Sequence, residues 1–195
     1  MLVNSNIAFK EWAVVVDALG LGEQVLIFRK GGIREQRGEF HADHHEFWLF
    51  PTQYHEAERS VIPSKRPILR ELTAIAPRDF VDIEYYVVAD PVLMITNIER
   101  VKRLQGRHIW SEQVLQERFQ FGHETGLHAL LTRVYRRPVP ERFALRESYG
   151  GCKSWVELER SLSTEGLTPV LGDVEYRVQR EGILELLSNH AFAHP

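Results

Sequence analysis

An α+β fold with mainly antiparallel strands is predicted by three features of this 195-residue sequence. Segments of strand and helix character are interleaved, without the steady strand–helix–strand rhythm of a parallel sheet. Turn pairs such as Gly31-Gly32, Asp90-Pro91 and Gly150-Gly151 separate them, as short antiparallel connections require. Hydrophobic residues make up 44% and charged residues 26%, a composition that supports a buried core.

The elements follow in order. Ile7 to Leu19 predicts an amphipathic helix: Phe9, Trp12, Ala13 and Val16 recur at helical spacing, Asn6 is its cap, and Gly20 and Gly22 end it. Gln24 to Arg29 predicts a strand, and Gly31-Gly32 a hairpin turn with Ile33 opening the return strand. Glu39 to Phe50 predicts one or two short strands closed by Pro51, and the polar run Thr52 to Ser60 a helical turn. Pro63 and Pro67 bracket a break, with a short amphipathic piece (Ile68, Leu69, Leu72) after it. One domain over 1–195 is expected; were it to divide, lobes 1–62 and 76–195 would meet at this break.

Val81 to Ala89 predicts the clearest strand of the second half, followed by the Asp90-Pro91 turn and a short run to Ile95. Asn97 and Ser111 predict caps of helices through Leu104 and Phe119. Leu127 to Val134 and Arg142 to Glu147 predict strands, and Trp155 to Leu162 a helix. Asp173 is the expected cap of a last helix, with Val174, Val178, Leu184 and Leu187 as its buried stripe and Gly182 as its weak point.

Bulk properties narrow the function. A formal charge of −3 argues against a surface given over entirely to nucleic acid, while leaving a local basic face open. The single cysteine, Cys152, excludes an internal disulfide framework. The start Met1-Leu2-Val3-Asn4 lacks a basic lead and an apolar run, and no stretch reaches the roughly 18 apolar residues of a membrane span. A cytoplasmic protein without a membrane partner is expected; the oligomeric state stays open.

Several phrases carry a family resemblance: Ala8-Phe9-Lys10-Glu11-Trp12-Ala13, Phe28 to Glu35, Phe47-Trp48-Leu49-Phe50-Pro51-Thr52, His108-Ile109-Trp110 and Tyr149-Gly150-Gly151-Cys152-Lys153-Ser154-Trp155. Over nearly its whole length the chain resembles a bacterial family known as domain of unknown function eighteen-oh-two. The resemblance implies a compact bacterial cytoplasmic protein of this length. Some members are linked to a restriction-endonuclease domain, which implies an association with restriction–modification. It brings no established reaction, cofactor or catalytic residue.

The strongest candidate site is Arg29, Lys30, Gly31, Gly32 and Arg34, with Lys153 joined to it. Glycines let backbone N–H groups approach a ligand, and flanking cations suit a phosphate or carboxylate. The expected ligand is an anionic small molecule or nucleic acid; turn chemistry alone is the competing explanation of the glycines. The longer glycine loop and Lys-Ser/Thr of a phosphate loop are absent, and so is the glutamate-rich helix of a Nudix hydrolase. A restriction-type nuclease core would use Glu-X-Lys to help hold Mg²⁺, and that pattern does not occur.

A second candidate is the His-rich patch of His41, Asp43, His44, His45 and Glu46, with His55 and Glu56 after it. On a strand, same-face residues lie about 6.6 Å apart, so His41, Asp43 and His45 converge on zinc only with a bend or an outside ligand. The family pattern matches Asp43, His44 and His55, which leaves those three as the metal candidates. They also define a rival function, a hydrolase using His44 and His55 with acidic neighbours, with or without a metal. A protein-interaction subunit is the third reading. His123 and His128 are five residues apart around Gly126, which does not suit a zinc-protease helix. Cys152 beside Lys153 has the surroundings of a lowered thiol pKa, yet no paired His is identifiable. Basic residues from Arg100 to Arg146 interleave with aromatics, against enough acidic residues to read as a balanced solvated face.

Overall fold

The computed structural model describes residues 1–30, 44–53, 57–75, 79–122, 125–151 and 153–188. The chain opens with strand β1 (Asn4–Trp12), which leads directly into helix α1 (Ala13–Gly20). This corrects the single helix expected from Ile7. The reason is visible in the burial: Phe9 faces one core and Ala8 the other, so the strand is apolar on both sides. A strand buried on both faces loses its alternation and imitates a helical repeat.

The remaining elements are β2 (Leu26–Arg29), β3 (Glu46–Thr52), α2 (Arg66–Ala74), β4 (Phe80–Ile95), α3 (Ile98–Arg103), α4 (Glu112–Gln120), β5 (Leu127–Ala144), β6 (Trp155–Ser163), β7 (Thr168–Pro169) and α5 (Asp173–Leu187). Among the described residues the seven strands form one mixed sheet in the order β2-β5-β4-β3-β1-β6, with β7 pairing β5. Only β1 and β3 pair in parallel, so the sheet is mainly antiparallel, as the sequence predicts.

Local signals decide several boundaries. The Asn97 side chain accepts the Glu99 N–H at 2.9 Å, and the Ser111 hydroxyl accepts the Val114 N–H at 3.4 Å, so both expected caps form. The Asp90-Pro91 pair is not a turn; β4 runs through it with a shift of register between Ala89 and Val92. β3 likewise runs through Pro51, which lies opposite Glu11 in the parallel register. Trp155 to Leu162 is strand, because Val156, Leu158 and Leu162 all face a core shared with β1. The cap of α5 is Gly172, whose N–H the Glu175 carboxylate accepts at 3.0 Å, and Asp173 instead pairs with Arg133. Val174 and Val178 are exposed, and Ile183 and Leu187 are the buried residues, so the packed stripe is rotated from the expected one.

Two cores result. The first takes Phe9, Phe28, Phe47 and Leu49 from the sheet and residues from every helix, among them Val15, Leu69, Val101, Phe119 and Ile183. The second packs Ala8, Trp48, Phe50, Tyr86, Phe143 and Val156 on the other side of β1 and β3. Full burial of each such large side chain contributes roughly 1.5–3 kcal/mol. No helix among the described residues is long and apolar enough to cross a membrane.

Gln24 links β2 to the segment after α3: its Nε2 donates to the Leu26 carbonyl at 2.7 Å, and its Oε1 accepts the Ile109 N–H at 3.1 Å. His108 is thereby held in the interior, edge-on to Phe28 with centroids 5.2 Å apart. Burial pushes its pKa from 6.5 down to about 4, and an interaction with the Trp110 backbone opposes this only in part. Neither ring nitrogen reaches a partner in good hydrogen-bonding geometry.

The neutral ring is therefore the folded form. Its contribution to stability is complete above pH 6.5 and is lost as the pH falls from there through about 4. Denaturant unfolding across that window is expected to lose on the order of 3 kcal/mol at this site. His108→Leu is expected to flatten that part of the profile. Parallel profiles for the two proteins would show that His108 binds its proton equally in the folded and unfolded chain.

Candidate anion-binding site

Arg29 ends β2 at one edge of the sheet, and Ser154 precedes β6 at the other. The Arg29 side chain joins them. Its Nε donates to Ser154 Oγ at 3.3 Å, and its Nη2 donates to Ser154 Oγ at 3.1 Å and to the Lys10 carbonyl at 3.2 Å. The guanidinium lies 4.7 Å from the centroid of the Phe9 ring. Nη1 has no acceptor among the described residues.

Lys30 turns toward α4 and β5, where its ammonium donates to the carbonyls of Phe119 (3.2 Å) and Gly126 (3.0 Å). The neighbouring residue on α4 is Arg118, which the sequence reading did not single out. Its guanidinium stacks 3.8 Å above Trp110 and lies 5.3 Å from Trp12, the two indoles meeting edge to face at 4.9 Å. Burial lowers its pKa; Glu11 opposes that, and Arg29 adds to it. No hydrogen-bond acceptor or ion-pair partner meets this guanidinium among the described residues.

Glu11 is a further group that periodicity hid, because it falls within the segment expected to be helix. It is 2% exposed. One oxygen accepts the Trp12 N–H at 2.8 Å, while Oε2 is buried without a donor among the described residues. The Thr52 hydroxyl donates to the Glu11 carbonyl at 3.1 Å, fixing this end of β1 against β3. Arg29, Arg118 and Glu11 thus form one electrostatically connected group where β1, β2 and α4 meet.

The other sequence candidates fall at different places. Lys153 donates to the Ser148 carbonyl, and Lys10 donates to the carbonyls of Tyr149 and Gly151, both at 2.8 Å. These two lysines hold the turn before β6, with Lys153 removed from Arg29 by one residue, Ser154. His44 sits edge-on to Trp155 at 5.1 Å, and Trp155 also packs on Phe9 and Phe47. His45 Nδ1 lies 3.2 Å from the Ala89 carbonyl. Gly31, Gly32, Arg34, His41, Asp43, His55, His123 and Cys152 lie outside the described residues. Among the described residues no group of three or more potential ligands could hold a metal ion.

Many of the other arginines are neutralised. Arg133, Arg136, Arg137, Arg142, Arg146 and Arg160 each pair with a carboxylate, whereas Arg100, Arg103 and Arg107, earlier in the same basic run, form no ion pair among the described residues. Arg29 and Arg118 have no such neutralising ion pair among the described residues.

A family model described as domain of unknown function (DUF1802) matches residues 8–182. The chain belongs to that family. A search of curated proteins returns no match. Among solved structures, this DUF1802 chain is similar to ASCH from Zymomonas mobilis, with 14% identity and a TM-score of 0.45, over 79% of this chain and 87% of that one. A point mutant of the same protein gives 14% identity and a TM-score of 0.45, over 93% and 96%.

The edge-to-edge bonds of Arg29 make a stability prediction. A hydrogen bond from a charged group contributes about 1.5–3 kcal/mol, and a cation–π contact about 0.5–1 kcal/mol. Arg29→Gln is expected to lower the unfolding free energy by about 2 kcal/mol, read as a shift in the urea midpoint. An unchanged midpoint would show that the two edges are held without it.

Proposed function

We propose that this chain is an anion-binding module, seated at Arg29, Lys30 and Arg118, for a nucleotide, a phosphate or a nucleic-acid backbone. The observation that carries the reading is the half-buried Arg118 guanidinium, placed near a second cation, without a carboxylate pair. Burying a charge without a partner costs stability, and such groups mark functional sites. Arg29 supports the reading with its Nη1, and Lys30 with its place directly before Gly31, Gly32 and Arg34 in the sequence. The restriction or defence setting implied by the family association is compatible with a nucleic-acid or nucleotide ligand.

The two arginines are expected to separate stability from binding. Because burial disfavours the Arg118 charge, Arg118→Met is expected to leave the unfolding midpoint unchanged or raised. The same variant is expected to weaken binding of pyrophosphate and of ribonucleotides at least tenfold in titration calorimetry. Binding by the native chain is expected to fall as salt rises. Full retention of binding by Arg118→Met, or no binding of either ligand by the native chain, would overturn the proposal.

A further inference from the structure

The balance of charge expected along the second half of the chain fails at α3. Lys102, which lines the groove between α3 and α4, is neutralised by Glu99 at 2.8 Å. Arg100 and Arg103 lie three residues apart, which sets them on one flank of the helix, away from Lys102. Arg107, in the turn that follows, continues the row. Its N–H donates to the Leu104 carbonyl at 2.9 Å, and its guanidinium lies against Gly182 of α5, where a β-carbon would come within 3.4 Å of Nη2. Arg103 and Arg107 are exposed and Arg100 is half-buried. No carboxylate or hydrogen-bond acceptor meets the three side chains among the described residues, although α5 carries Glu181 and Glu185 close to Gly182 in sequence.

The dipole of so short a helix is offset by one or two cations in its last turn, and Lys102 and Arg103 supply those. A lone phosphate likewise needs one or two cations, whereas a row suits a partner charged at every repeat. None of the exposed large apolar side chains lies between Ile95 and Gln120. Protein partners are held through a desolvated apolar core, and membrane surfaces through apolar side chains set into the lipid. A phosphodiester backbone needs only cations, and guanidinium groups pair with its oxygens two at a time. We propose that Arg100, Arg103 and Arg107 form a cationic surface, separate from the Arg29, Lys30 and Arg118 seat, that holds the phosphate backbone of a nucleic acid without reading its sequence.

The test is fluorescence anisotropy of the full chain with a labelled mixed-sequence oligonucleotide of about 16 residues, single- and double-stranded, over a salt series. The native chain is expected to bind at least one of them, less tightly as salt rises. Replacing all three residues (Arg100→Gln, Arg103→Gln and Arg107→Gln) is expected to weaken binding about tenfold or more at about 0.1 M salt. The slope of log affinity against log salt is expected to flatten by about two, and pyrophosphate affinity to stay native. Gly182→Glu sets a carboxylate beside Arg107 and is expected to weaken the oligonucleotide about threefold while keeping the fold, since glutamate favours helix over glycine. Unchanged affinity and slope in the triple variant, or no binding of either oligonucleotide by the native chain, overturns the surface. Tighter binding of polyglutamate or of phosphatidylserine vesicles than of either oligonucleotide also overturns it, in favour of an acidic protein or a membrane. Failure of pyrophosphate alone overturns the anion seat and leaves this surface standing. Gly182→Glu decides the question if the triple variant does not fold.

Discussion

One side chain holds the two open edges of the sheet together. Strand order leaves β2 at one margin and β6 at the other, and among the described residues no backbone pairing joins them. Arg29 spans the gap by bonding Ser154 and the Lys10 carbonyl while lying on Phe9. The first core lies inside the resulting curl, with Phe9, Phe28 and Phe47 as neighbours. A cation at that position acts as a fastener between the two margins.

The treatment of charge follows from this geometry. Along β4, β5 and β6 the arginines and carboxylates neutralise one another across strands, as exposed pairs that each contribute little. Where β1, β2 and α4 meet, that compensation stops. Arg118 is covered by indoles, Glu11 by the strand pairing around it, and each retains polar atoms without a partner among the described residues. Low local dielectric strengthens the fields of both groups there.

Much of the fold was legible in the sequence, and the failures share a cause. Asn97 and Ser111 announced their helices because capping is a local interaction between neighbours. Gln24 to Arg29 and Val81 to Ala89 announced strands through their branched residues. β1 and β6 did not, since Phe9 and Trp12, or Trp155 and Leu158, happen to fall at helical spacing. Only partners distant in sequence reveal that their period is two: Ala8 lies opposite Trp48 and Val156. Part of the site was legible for a similar reason. Arg29 and Lys30 stand beside glycines, a conspicuous local pattern, whereas Glu11 and Arg118 acquire meaning only when distant segments meet. Val174 and Val178 show the converse, apolar residues at a helical period that nevertheless face outward.

The parallel pairing of β1 with β3 has a consequence for how the chain reaches its shape. A parallel neighbour cannot be reached by a hairpin, so the chain must travel through α1 and β2 before β3 can lie alongside β1. The opposite side of β1 waits longer still, for β6. During synthesis, the strand made first is therefore among the last to be enclosed. A ribosome-bound intermediate carries an uncovered hydrophobic ribbon until β6 has emerged, and termination before Trp155 leaves that ribbon open to self-association.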